Sequence, residues 1–306
     1  MVILYGLGKE SPVELIGNAL EDMGQPFLTI NHHNISELNL SYSFSNGVMT
    51  GEFSLGDTGV ALESITGIYY RPVHFSVLRQ FKDWDPASAK YQNLHQAFTC
   101  FEKWIDLFPA KVLNRRIPML SNSSKPYQMM LIKQSGFSVP GSLISNRQQD
   151  VQAFAASQGS LIYKSASSVR SIVNSLDSNT PLSGIAHCPV LFQQKLEGTN
   201  YRVHVVHDQV FATKILTDAT DYRYAHKQQL ESTLSETTIP GDIQSRCIAL
   251  AALLELPLAG IDLMHCHGRD EWFCFEVNPS PGYSFYEKQT GQPIAKAIAT
   301  YLSAAS

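Results

Sequence analysis

Residues 259–283, AGIDLMHCHGRDEWFCFEVNPSPGY, decide how this chain is read. Two apolar runs, Leu258–Met264 and Trp272–Val277, flank the turn-forming residues His267-Gly268-Arg269-Asp270, a β-hairpin pattern. A turn centred on Arg269 sets Asp262 across from Glu276. Side chains in a strand alternate between faces, so Glu276 and Asn278 point the same way and Asp262 joins them. Two carboxylates and an amide oxygen on one face of an otherwise apolar hairpin repel one another unless a cation lies between them. Such hard oxygen donors suit Mg²⁺, which takes one or two carboxylates together with substrate phosphates. From spacing alone, a solvated polar face on an edge hairpin is an equal alternative.

Composition describes a folded, weakly acidic chain. The 306 residues are enough for two or three compact units. Hydrophobic residues make up 44% and charged residues 16%, a globular rather than disordered balance. The net charge of −4 comes with no Lys/Arg block, so nucleic acid and membrane surfaces are not expected partners. The start, MVILYGLGKESP, has neither a basic region nor a long apolar one, and reads as a first strand rather than a signal peptide. Cys100, Cys188, Cys247, Cys266 and Cys274 are scattered and odd in number, the pattern of reduced thiols in a cytoplasmic protein.

Three units are expected. Residues 1–111 read as an α/β unit: strand Val2–Leu7, a helix opened by the capping box Ser11-Pro12-Val13-Glu14, and strand Phe27–Ile30. A hairpin about Asn46-Gly47, strand Ile68–Arg71 and a helix over 87–108 complete it. Residues 112–188 form a small module of alternating helices and strands, with helices over 126–135 and from Asn146 to Gly159, and an edge strand near Pro140. Residues 189–306 open with strand Val190–Gln194, followed by the hairpin Tyr201–Val206/Val210–Leu216 and a polar loop over 217–239. A helix over 240–255 then precedes the hairpin of the opening argument.

The segment EVNPSPGYSFYEKQTGQPIA, starting at Glu276, resembles the metal-binding signature that closes the ATP-grasp fold. It is most similar to the RimK-type glutamate ligases and to the ligases that form rings in microviridin-type ribosomal peptides (graspetides). The resemblance implies an α/β (α+β) ATP-grasp architecture with an N-terminal pre-ATP-grasp domain and central and C-terminal subdomains. It also implies a carboxylate–amine ligase working through an acyl phosphate, with ATP and two Mg²⁺ ions, for which Mn²⁺ can substitute. The substrates implied are small-molecule or peptide carboxylates and amines, and homo-oligomers are common in this group. An ATP-grasp small-molecule kinase and a nucleotide-binding regulator without catalysis are the rival readings.

The same resemblance assigns residues. It makes Asp262, Glu276 and Asn278 the metal ligands. Lys125, in SNSSKPYQ, and Lys164, in LIYKS, fall where these ligases keep phosphate-binding lysines, and two ammonium groups on element ends act there as point charges. Gln193, Gln194, Lys195 and Leu196, in FQQKLEG, fall at the adenine hinge, and Asn200 falls at the ribose, where relatives carry an acidic residue. Arg202 corresponds to an arginine that stabilises charge on the transferred phosphoryl group. Arg223, in Asp221-Tyr222-Arg223, and Lys214 fall in a segment where relatives keep basic residues near phosphate, a strand-end surface lysine being the equal alternative for Lys214. Arg71 is a candidate carboxylate clamp or else a structural ion pair. The loop Ser165-Ala166-Ser167-Ser168-Val169-Arg170 departs from the family by lacking glycine, and Arg170 is a candidate contact to substrate. His265-Cys266-His267 does not converge as a zinc site should, and no Gly-x-Ser-x-Gly elbow is present.

Overall fold

The computed structural model describes residues 1–166, 173–177, 180–217 and 232–304. Its first unit contains β1 (Val2–Gly6), α1 (Ser11–Asp22), β2 (Phe27–Asn31), β3 (Leu38–Ser45), β4 (Val48–Leu55), β5 (Thr58–Ala61), β6 (Gly67–Tyr70), α2 (Ala89–Leu107) and β7 (Lys111–Leu113). Strands β2-β1-β6-β7 form a parallel sheet, and β3-β4-β5 form a separate antiparallel meander. All five residues of β1 are buried, as an unbroken apolar run between covered faces requires. Asn46 and Gly47 both take positive φ (52° and 79°), the type I′ geometry that joins β3 to β4. On α2 the expected stripe of Leu94, Phe98, Phe101, Trp104 and Ile105 is buried, with Phe108 just beyond it.

The α1 cap differs from the expected one. Glu10, not Ser11, is the N-cap, and it makes no side-chain cap bond because its carboxylate reaches Arg71 at 2.6 Å. Ser11 becomes the first helical residue.

The middle of the chain contains α3 (Arg116–Met119), α4 (Lys125–Gln134), β8 (Ser142–Ser145), α5 (Gln148–Gln158), β9 (Leu161–Ser165), β10 (Asn174–Leu176) and β11 (Val190–Gln194). Ser124 caps α4 by accepting the Tyr127 N–H. On α5 the cap position falls to Arg147 instead of Asn146, because Ser145 Oγ takes the Arg147 N–H and donates to Asp150. The antiparallel order β10-β9-β11-β8 leaves β8 at an edge, as Pro140 implies. By its hydrogen bonds to β8 and β9, β11 belongs to this sheet, although the division at 188 and 189 assigns it to the third unit. A sequence boundary placed at Pro189 takes no account of long-range pairing.

The last part contains β12 (Thr199–Val206), β13 (Gln209–Thr217), β14 (Ser232–Thr237), α6 (Gly241–Leu253), β15 (Leu258–Cys266), β16 (Glu271–Asn278), α7 (Tyr283–Thr290) and α8 (Ile294–Ser303). Its antiparallel sheet runs β14-β13-β12-β15-β16. The polar stretch expected to be loop over 217–239 thus includes a strand, whose partner β13 supplies the ladder that polar residues cannot signal on their own.

Packing divides the molecule differently from the chain order. Ile132 and Phe137, on and just after α4, share a core with α6 and with Val203, Ile261, Leu263, Cys274 and Val277 of the C-terminal sheet. The central sheet has its own smaller cluster of Val151, Leu161, Ile185 and Phe192. So α4 sits on the C-terminal sheet, and the β8–β11 sheet is attached through residues 139–141 and 195–198. A third core joins the first unit to the last: Val13, Ile16 and Leu20 of α1 meet Ile294, Ile298 and Leu302 of α8. All five cysteines are free, and among the described residues no helix is long and apolar enough to cross a membrane.

Candidate active site

The β15/β16 hairpin pairs Asp262 with Glu276, and Gly260 with Asn278. Nearer the turn the register is different: Leu263 pairs with Cys274 and Cys266 with Glu271. The turn is therefore centred between Gly268 and Arg269, and a regular ladder from it would set Asp262 against Phe275. A β-bulge between Asp262/Glu276 and Leu263/Cys274 inserts Phe275 as the extra residue. The bulge is what puts Glu276 opposite Asp262. Beyond it Val277 faces the apolar core with Ile261, while Glu276 and Asn278 fall on the opposite face of the strand.

Asp262 is oriented from the neighbouring strand. Arg202 lies opposite it in the β12/β15 register, and Arg202 Nη1 donates to Asp262 Oδ1 at 2.7 Å. The Arg202 side chain is 6% exposed. Its guanidinium lies 5.7 Å from the Tyr286 ring centre, and its Nε donates to His204 Nε2 at 3.5 Å. Burial, and then the Arg202 charge, hold the His204 pKa well below its usual value, so the ring stays a neutral acceptor. A Cβ on Gly260 would come within 2.2 Å of Arg202 Nη2, which explains the glycine across from His204.

Asn278 is held from the turn that follows it. Its Oδ1 accepts the Ser280 N–H at 2.9 Å. Arg71, from the end of β6, donates to Ser280 Oγ at 2.9 Å and pairs with Glu10 at 2.6 Å. Burial acts to lower the Arg71 pKa, but the bond to Glu10 and the neighbouring Tyr69 outweigh it and raise it. Arg71 therefore ties the first unit to the signature turn. Asn114, 1% exposed, completes this junction: its Nδ2 donates to the Leu258 and Pro279 carbonyls and its Oδ1 accepts the Leu258 N–H.

Lys125, Lys164, Gln193 and Glu276 line one cleft, together with Gln128, Met129, Leu191 and Phe275. Lys125 is the first residue of α4 and Lys164 lies on β9, paired with Leu191. The lysines thus approach from the two bodies that the packing separates. Gln193 is 2% exposed; its Nε2 donates to Ser142 Oγ at 3.1 Å, and its Oε1 has no partner among the described residues. A buried acceptor without a donor fits a ligand N–H. Gln194 N and Lys195 N donate to the Gly141 and Ser160 carbonyls, which fixes the crossing strand. Leu196 packs on Met264, Cys266 and Phe273, and Asn200 pairs with Met264 on the Asp262 face.

One residue is not brought to this place. Lys214 pairs with Tyr201, whose ring packs against Trp272 on the α6 side of the sheet. Alternation sends Lys214 to that side, away from Asp262, which a strand-end position in sequence does not reveal. Arg170 and Arg223 lie outside the described residues. His265 bonds Asp270 and stacks on Trp272, while His267 bonds Thr199. Among the described residues no group of three His, Cys, Asp or Glu side chains is arranged for a metal. The site's own set has two carboxylates and takes its third donor from an amide, so Asp262, Glu276 and Asn278 remain a fit for a hard divalent cation with oxygen donors supplied by a phosphate.

Sequence reasoning missed Gln128, Asn114 and His204, all buried and polar. Gln128 and Asn114 bond backbone rather than side chains, so no pattern of side-chain types announces them.

Comparison with known proteins agrees with this architecture. The RimK-like ATP-grasp domain matches residues 123–302, more than half of the chain. The chain belongs to the RimK-like ATP-grasp family. A probable alpha-L-glutamate ligase of Histophilus somni strain 2336 is 27% identical over 207 residues, 62% of this chain. The alignment spans 66% of that relative's length, just under two thirds. Among solved structures, a RiPP-associated ATP-grasp ligase of Chryseobacterium gregarium in complex with ADP and a leader and core peptide superposes with TM-score 0.81 at 19% identity. It covers 98% of this chain and 96% of that one. The macrocyclase MdnC of Microcystis aeruginosa MRC, bound with precursor peptide MdnA, gives 0.78 at 20% identity over 99% of both chains. The ATP-grasp ligase PsnB, complexed with minimal precursor, Mg and ADP, gives 0.79 at 21% identity, covering 98% and 96%. These likenesses show a full-length ATP-grasp fold.

Proposed function

We propose that this chain is an ATP-dependent carboxylate–amine ligase that produces ADP and acts on an amino acid or peptide. The observation that carries the reading is the bulge-set pair of Asp262 with Glu276, on the strand face shared by Asn278, with Glu276 lining a cleft that also receives Lys125 and Lys164. A hard divalent cation on those oxygens would neutralise phosphate charge. Lys125 and Lys164 hold the phosphates, and Gln193 Oε1 with the 193–196 backbone receives the base. Arg202 orients Asp262 and adds positive charge beside it.

The reaction this set supports is positional. An oxygen of the substrate carboxylate attacks the γ-phosphorus, the bond to the β–γ bridging oxygen breaks, and ADP leaves with an acyl phosphate formed. The amine nitrogen then attacks the acyl carbon, inorganic phosphate departs, and the nitrogen loses a proton. Neither step needs a protein nucleophile, in keeping with a site of cations and metal ligands. Two Mg²⁺ ions replaceable by Mn²⁺, self-association, cytoplasmic residence, and roles for Arg170 and Arg223 near phosphate or substrate belong to the same proposal. The solved complexes with precursor peptides support a peptide as the carboxylate donor.

The test is ATP turnover with Mg²⁺ and a pooled metabolite and peptide extract, with hydroxylamine present and products read by mass. A hydroxamate that Glu276→Gln lowers at least about tenfold, ~1.4 kcal/mol of barrier, is the expected result. A stable phosphate ester instead makes the chain a kinase, and wild-type turnover by Glu276→Gln removes the metal assignment.

A further inference from the structure

The bulge that creates the proposed metal site lies on an edge strand. Among the described residues no strand pairs with the outer side of β16, so that side of the ladder has to be satisfied in another way. Two contacts do so, and they lie on either side of the bulge. On the turn side, Ser138 N donates to the Trp272 carbonyl at 3.2 Å, and the Ser138 carbonyl accepts the Cys274 N–H at 2.9 Å. On the other side, Gln128 Nε2 donates to the Val277 carbonyl at 2.8 Å and Gln128 Oε1 accepts the Val277 N–H at 2.9 Å. A side-chain amide thus presents one donor and one acceptor to a single residue, as a neighbouring strand would.

We propose that Gln128 is a positioning residue for the metal site: its amide locks the peptide groups of Val277 and thereby aims Glu276 and Asn278, the residues on either side. This rests on the metal reading given above. Three features make the contact more than packing. Val277 is the residue between the two assigned ligands, so a rotation of its peptide units moves both side chains. A bulge leaves its extra residue unpaired and its strand free to revert to regular register, which would return Glu276 to the wrong pairing. And Gln128 stands three residues after Lys125 on α4, with both side chains lining the cleft. The phosphate lysine and the metal carboxylates are therefore fixed to each other through one short helix, whereas Lys164 and Gln193 belong to the separately packed sheet. Gln128 is 3% exposed, so water cannot replace its bonds without rearrangement.

The experiment titrates Mg²⁺ into the full chain with a fluorescent ADP analogue, comparing wild type, Gln128→Met, Gln128→Glu and Glu276→Gln, and measures nucleotide affinity without Mg²⁺ alongside thermal unfolding. Gln128→Met keeps the volume and loses both bonds; Gln128→Glu keeps the acceptor and loses the donor, and serves if the first variant fails to fold. The expected result is a rise of about tenfold or more in the Mg²⁺ concentration for half-saturation, as for other outer partners of metal ligands, with Mg²⁺-free nucleotide affinity unchanged. A lowered melting temperature with an unchanged Mg²⁺ requirement would mean that Gln128 only stabilises the fold, and overturns the proposal. If Glu276→Gln also leaves the Mg²⁺ requirement unchanged, the metal reading itself has failed; a shift in Glu276→Gln alone overturns only the role of Gln128.

Discussion

Arg202 and Asp262 stand opposite each other across the β12/β15 ladder and are joined at 2.7 Å, with side-chain exposures of 6% and 17%. A charge pair this deep is sensitive to the loss of one member, because the other is left buried and uncompensated. Asp262→Leu alone is expected to cost about 3 kcal/mol of unfolding free energy, the low end of the range because the carboxylate keeps some solvent. The double change Arg202→Met with Asp262→Leu should recover most of that loss while staying inactive. Urea denaturation of the two single variants and the double variant checks this. A double variant no more stable than Asp262→Leu would show that the pair is not a stability unit.

Gly260 is the floor on which Arg202 lies. An added methyl would meet Arg202 Nη2 and Cζ at 2.2 and 2.7 Å and Pro281 Cβ at 2.8 Å. Gly260→Ala should therefore push the guanidinium from Asp262, destabilise by about 1–3 kcal/mol and lower turnover. Gly282→Ala is the control, since nothing lies within 4 Å of its added methyl, and should stay within about 0.5 kcal/mol of wild type. Equal effects in the two variants would contradict the packing argument.

What could be read in the sequence follows from the range of the signals. Strand β1, the Asn46-Gly47 hairpin and the α2 stripe rest on local periodicity and turn chemistry, and they fold as expected. The pairing of Asp262 with Glu276 was legible only in part: a turn placed on Arg269 yields the right partners, yet the chain reaches them with a turn half a residue earlier and a bulge at Phe275. Bulges leave no mark in an alternation pattern. The membership of β11 in the central sheet, the strand β14 among polar residues, and the amides of Gln128 and Asn114 all depend on partners far along the chain. That Glu10 holds the N-cap position without a side-chain cap bond also has a distant partner behind it, because Arg71 takes its carboxylate.

Acid should weaken the fold through its buried histidines. Burial, and then the charge of His33, bring the His32 pKa down to about 4, and the ring is 0% exposed. The unfolded chain binds a proton at this residue below about pH 6.5 while the folded chain does not. Protons then favour the unfolded state, so stability contributed by His32 is complete above that pH and falls by about 1.4 kcal/mol per pH unit down to about pH 4. His204, shifted the same way, adds in the same direction. His32→Gln should flatten the decline between pH 6.5 and 4.5, as read from urea midpoints; an unchanged slope would show that His32 is protonated in the folded chain.

The two lysines Lys164 and Lys214 separate the reading of the fold from that of the motif. Lys164 lines the cleft with Glu276, whereas Lys214 shares a face with Tyr201 and points to the α6 side of the sheet. Removing a cation that neutralises phosphate should weaken nucleotide binding, because a point charge in a confined cleft is poorly replaced by water. Lys164→Ala is therefore expected to weaken ATP binding by about tenfold, equivalent to ~1.4 kcal/mol. Lys214→Ala, at a half-buried position on the other face, should leave binding within about twofold. Calorimetric titration with a non-hydrolysable ATP analogue distinguishes them, and a tenfold loss in Lys214→Ala would show that β13 presents its other face to the nucleotide.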